Sequence, residues 1–149
     1  MTYAEALARL LALRGGEHAG FRPGLERVDA LLAALGHPER QYALVQVGGT
    51  NGKGSTAVVL DSICRAAGIR TGLYTSPHLV SITERIRLGG TEIAKDEFAR
   101  QATLVRSAAE QLIAEKQIAV PPTFFEQVIA ISLSEFRDRK VELAVLETG

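Results

Sequence analysis

Residues 48–55 read Gly-Gly-Thr-Asn-Gly-Lys-Gly-Ser, the residue types that phosphate chemistry asks for. A glycine-rich turn lets backbone N–H groups converge on one point, and a helix starting there aims the positive end of its dipole at the same point. Lys53 adds a mobile positive charge, and Ser55 adds a hydroxyl of the kind that meets Mg2+. The setting agrees with this use. Tyr42 to Val47 reads as a strand leading in, and Thr56 to Ala67 reads as a helix leading out. The common phosphate-loop spacing is G-x-x-x-x-G-K-[ST]. Here Gly49 stands only three residues before Gly52, and Gly54 separates Lys53 from Ser55. The loop is a shortened variant, and its expected guest is a nucleoside triphosphate.

The elements that must hold this loop follow from periodicity and punctuation. Thr2-Tyr3-Ala4-Glu5 is a capping box that opens a helix over 3–13. The span 14–24, with four glycines and a proline, reads as a loop. A helix over about 25–35 carries Leu25, Val28, Leu31, Leu32 and Leu35 on one face, and Gly36 and Pro38 stop it. Strands are expected at 42–47, about 69–74 and 141–146, with the loop helix at 55–67. Alternation on both sides of Gly89-Gly90 predicts a hairpin within 84–93. Further helices are expected from 95 or 96 to about 116, and from a second capping box, Thr123-Phe-Phe-Glu126, to about 139. Strands alternating with helices predict an α/β fold with a parallel sheet.

The chain has 149 residues, enough for one domain with a core. Seventeen basic and seventeen acidic side chains cancel, so the composition supports neither general nucleic-acid nor membrane binding. Cys64, the only cysteine, excludes an internal disulfide and is expected to be a buried thiol. No signal-type segment or membrane span is read, which makes the cytoplasm the expected location.

Five motifs follow in order: Val47 to Ser55, Thr75-Ser-Pro-His-Leu79, Glu84-Arg-Ile86, Pro122-Thr-Phe-Phe-Glu126 and Ala144-Val-Leu-Glu147. Together they resemble the N-terminal portion of folylpolyglutamate synthase/dihydrofolate synthase, within the Mur ligase superfamily. Leu25-Glu-Arg-Val28 is similar to that family's folate-side segment. The resemblance implies a P-loop NTPase-like sheet of the Mur ligase central-domain type. Residues 1–149 would be the N-terminal part of the ATP-binding ligase domain, incomplete at the C-terminus and lacking the C-terminal ligase domain.

It also implies ATP-dependent addition of L-glutamate to a pteroate or folate carboxylate through an acyl phosphate. ATP and Mg2+ are the implied cofactors, and the rest of the ligase chain is an implied partner. Gly49, Thr50, Asn51, Gly52, Lys53, Gly54 and Ser55 would cradle the phosphates, with Lys53 as the catalytic cation. Ser76 and Glu147 would hold the metal. Leu25, Glu26, Arg27 and Val28, with Thr123, Phe124, Phe125 and Glu126, would face the pterin substrate. Plainer readings stand beside these. Glu126 is already accounted for by its capping box, Phe124 and Phe125 suit a core, and His78 suits a surface turn. Other classes are an unrelated P-loop ATPase or kinase and a truncated, non-catalytic nucleotide-binding module.

Overall fold

The computed structural model describes residues 1–15 and 24–148. Most of the loop expected at 14–24 lies outside the described residues. Within them the order is α1 (Tyr3–Gly15), α2 (Glu26–Ala34), β1 (Ala43–Val47), α3 (Lys53–Ala66), β2 (Thr71–Tyr74), β3 (Ile86–Leu88), β4 (Thr91–Glu92), α4 (Lys95–Ala114), α5 (Phe124–Asp138) and β5 (Leu143–Glu147). These elements form two compact units. One comprises Met1–Pro38 with Lys95–Ser134, and the other Glu39–Ala94 with Glu135–Gly149.

The first unit is helical. Both expected capping boxes form. Thr2 N–H donates to Glu5 and Glu5 N–H to Thr2 Oγ1, at 2.7 and 3.2 Å. Thr123 and Glu126 make the same reciprocal pair, both bonds 3.2 Å. Leu10, Leu31, Phe98 and Val105 are buried, and Tyr3 meets Phe98 edge-on at 5.8 Å between ring centroids. Leu25, expected on the apolar face of its helix, is instead 69% exposed. It precedes the first helical turn and so escapes the periodicity that buries Leu31.

The second unit holds a five-stranded sheet in the order β1-β5-β2-β3-β4. β1, β5 and β2 run parallel, as the α/β pattern requires. β3 and β4 add an antiparallel hairpin, whose Gly89 and Gly90 both have positive φ, as a tight two-residue connection demands. The sheet is therefore mostly parallel. α3 covers one face, where Ala57, Leu73 and Val145 make a buried cluster with Val47 and Leu60 against it. Cys64 is buried, as its place in an apolar helix face implies. No helix of the described residues is long and apolar enough to cross a membrane.

One close approach fixes how the other face packs. The Phe136 ring lies so near Gly72 on β2 that a Cβ there would fall 2.5 Å from Phe136 Cδ1. Phe136 is fully buried and meets Tyr42 edge-on at 6.2 Å. The ring has no room to retreat, so Gly72→Ala is expected to cost about 1–3 kcal/mol through overpacking. Urea unfolding measures this, and a variant as stable as the parent would contradict the packing described.

Candidate functional site

The parallel register determines which loops meet. Val47 pairs with Glu147, and Tyr74 pairs with Leu146. The carboxyl ends of β1, β2 and β5 thus share one edge, where ligands bind in open α/β sheets. The glycine-rich loop leaves β1 at that edge, the Ser76 turn leaves β2, and Glu147 is the last residue of β5.

The loop has the form of an anion cradle. Gly49 has φ 136° and Gly52 has φ 74°, backbone states that side-chain-bearing residues rarely adopt. A Cβ at either glycine would meet no atom within 4 Å, so these glycines answer a backbone requirement and not crowding. Gly52 caps α3, which begins at Lys53, two residues earlier than periodicity indicated. The first helical hydrogen bond inside the turn runs from Thr56 N–H to Gly52 O at 2.9 Å. The amides of Lys53, Gly54 and Ser55 therefore occupy the first turn, whose N–H groups have no intrahelical acceptor. Lys53 itself is half-buried.

Glu147 comes to the head of this helix. Its carboxylate is 5% exposed, and Oε2 lies 3.6 Å from where a Cβ of Gly54 would stand. Gly54 thus gives the carboxylate its place against the loop. Among the described residues, no cationic side chain forms an ion pair with Glu147. A buried carboxylate beside an anion cradle repels any phosphate that enters, unless a cation stands between them. Nor do the described residues hold a cluster of three or more His, Cys, Asp or Glu side chains fit for a metal. Mg2+ is commonly held by one or two carboxylates together with water and substrate phosphates. Glu147, with the hydroxyls of Ser55 and Ser76 on the same edge, fits the ion chemically.

The other set of expected residues lies in the helical unit. Arg27 Nε and Glu126 Oε1 form an ion pair at 3.0 Å, with both side chains 12% exposed. This brings the 25–28 and 123–126 segments together. Glu126 Oε1 also takes the Thr123 N–H, while Oε2 is buried with no hydrogen-bond partner. Phe124 is 9% exposed, and the Arg14 guanidinium sits 5.0 Å from its ring centroid. Phe125 is 46% exposed.

Comparison with known proteins identifies the family. No family model matches the chain. A probable bifunctional folylpolyglutamate synthase/dihydropteroate synthase of Haloferax volcanii is 40% identical over 149 residues, all of this chain and 17% of that protein. A dihydrofolate synthase/folylpolyglutamate synthase of Bacillus subtilis is 36% identical over 131 residues, 87% of this chain and 30% of that protein. The solved structure of an FPGS–AMPPCP–folate complex superposes on the whole chain at 34% identity with TM-score 0.88, and the match covers 35% of that structure's chain. This chain belongs to the folylpolyglutamate synthase/dihydrofolate synthase family. It spans less than a third of the length of either curated relative named here.

The structure departs from the expected hairpin just beyond the Ser76 turn. Alternation over 84–93 places Glu84 and Arg85 in one arm of the hairpin, but residues 82–85 form a 3-10 turn capped by Ser81. The spacing Ser81-Ile-Thr-Glu84 is itself a capping-box signature and was the available signal. Glu84 accepts the amide N–H groups of Leu79, Val80 and Ser81 at 3.0, 2.8 and 2.6 Å. Those bonds, that from Ser81 strongest, hold its carboxyl at about 2. An ordinary glutamate titrates near 4.3 in an unfolded chain. The clamp is thus complete above that value and is lost only as pH falls toward about 2. The amide proton shifts of Leu79, Val80 and Ser81 should stay constant down to about pH 4 and then move with a midpoint near the folded value. A midpoint at the ordinary glutamate pKa would contradict the clamp.

Proposed function

We propose that this chain is the N-terminal part of the ATP-binding domain of an ATP-dependent ligase that joins L-glutamate to dihydropteroate or a folate. One observation carries the reading: the phosphate cradle and the buried Glu147 carboxylate lie side by side on the carboxyl edge of one parallel sheet. The AMPPCP and folate bound in a similar structure support the nucleotide and the substrate class.

In this reading the 49–55 loop and the first amides of α3 take the β- and γ-phosphates. Lys53 sits against them as a point charge. Glu147 and Ser76 hold Mg2+, which when bound neutralises phosphate charge. An oxygen of the pteroate or folate carboxylate attacks the γ-phosphorus and ADP leaves, giving an acyl phosphate. The glutamate amine then attacks the acyl carbon, inorganic phosphate leaves, and the amine loses a proton. No protein nucleophile takes part. The chain's contribution is alignment and charge stabilisation. The helical unit's 25–28 and 123–126 segments meet the pterin, with Glu126 acting as a hydrogen-bond acceptor. The glutamate contacts come from the rest of the ligase chain, and the whole works in the cytoplasm.

The test uses the full-length protein that carries this segment, with Mg-ATP, glutamate, and dihydropteroate or tetrahydrofolate labelled with 18O in its carboxylate. The account expects label in the released phosphate, and release that depends on both other substrates. Phosphate release that needs neither pterin nor glutamate would contradict the ligase. Lys53→Ala should lower kcat by a hundredfold or more, on the order of a lost transition-state charge contact, with the unfolding midpoint unchanged. An undiminished kcat would remove Lys53 from its role.

A further inference from the structure

The Glu84-Arg85 pair has no part in the phosphate cradle, yet both side chains reach back to the turn that carries Ser76. Arg85 is 6% exposed. Its Nε donates to His78 Nδ1 at 2.7 Å, and its Nη1 donates to the Tyr74 hydroxyl at 3.3 Å. Its carbonyl accepts the Thr75 N–H at 3.0 Å. Arg85 therefore grips the turn both before and after Ser76. Glu84 grips the stretch just beyond, through the three amides of 79–81.

We propose that Glu84 and Arg85 are positioning residues, which fix the Ser76-Pro77-His78 turn at the nucleotide edge and hold His78 in the tautomer with its proton on Nε2. The inference rests on the nucleotide reading of that edge and extends it to residues outside the loop. The tautomer follows from donor chemistry. An arginine Nε can only donate, so the Nδ1 it meets must offer a lone pair, and the neutral ring then carries its proton on Nε2. The burial of Arg85 points the same way. Enclosing a guanidinium is a poor means of gaining stability, whereas a charged group with directed donors can specify one geometry. Tyr74 pairs with Leu146, next to Glu147 on β5, so the hydrogen-bonded chain His78–Arg85–Tyr74 runs from the turn toward the strand that ends in that carboxylate.

Two measurements test this. Long-range 1H–15N NMR of histidine-labelled protein, with the His78 signal assigned by its loss in His78→Ala, reads the tautomer directly. It should show Nε2–H in the parent and a mixture in Arg85→Lys. Calorimetry with a non-hydrolysable ATP analogue, with and without Mg2+, reads the site. Arg85→Lys and His78→Ala should each lower Mg2+-assisted affinity about tenfold, the usual scale for a lost outer-shell partner, and leave metal-free affinity unchanged. His78→Asn, whose side-chain oxygen can accept from Arg85, should restore most of the loss. Because His78 is half-buried, the His78 variants avoid the folding risk of altering Arg85. A parent His78 protonated on Nδ1, or a His78→Ala with undiminished Mg2+-assisted affinity, would overturn the positioning role and leave the nucleotide reading standing. A parent that binds no Mg-nucleotide would overturn both.

Discussion

A buried carboxylate at the head of an anion-seeking helix is the constraint on which the rest of this edge depends. Glu147 lies 5% exposed against Gly54, where the first turn of α3 presents its amides. The helix dipole stabilises that negative charge when it is alone. A polyphosphate arriving at the same turn would compete with it for the same field. Two such anions coexist at one turn only if a cation joins them, so in the proposed reading the loop, the carboxylate and a metal would act as one electrostatic unit. In this arrangement Gly54 serves as the space that admits the carboxylate, while Gly49 and Gly52 serve the turn.

The sheet order makes that unit possible. β5, last in sequence, lies between β1 and β2. A strand inserted there delivers its terminal residue between the phosphate loop and the Ser76 turn. The backbone at this corner is tied as well. Thr148 N–H donates to Val47 O at 2.9 Å, and the Gln46 amide reaches Thr148 Oγ1 at 2.9 Å. The close seating of Phe136 on Gly72 and the Ala57, Leu73 and Val145 cluster hold the two faces of the same three strands. The core of this unit is therefore also the mount of its site.

Much of this was legible in the residues because it is local. Glycine pairs, capping boxes and strand-turn-helix order each act over a few residues, and the structure keeps the expected capping boxes at Thr2 and Thr123 and the Gly89-Gly90 hairpin. What could not be read depends on distant partners. A strand is expected at 42–47, but nothing in those residues tells that β1 lies at the edge of the described sheet with Leu44 40% exposed, because strand order is set by long-range pairing. The burial of Arg85 is equally non-local: an arginine in an alternating arm looks solvated until the Ser76 turn folds over it. The start of α3 at Lys53 was hidden by Gly54, a poor helix former that is accepted there to make room for Glu147.

The most direct test of the electrostatic unit is calorimetry of a non-hydrolysable ATP analogue on the parent and on Glu147→Gln, with Mg2+ and again in chelator. The account predicts that the variant loses the gain in affinity that Mg2+ confers on the parent. In chelator it should bind the bare triphosphate at least as tightly as the parent, because the opposing charge is gone. A variant that keeps the full Mg2+ gain, or that binds the metal-free nucleotide more weakly than the parent, would contradict the account.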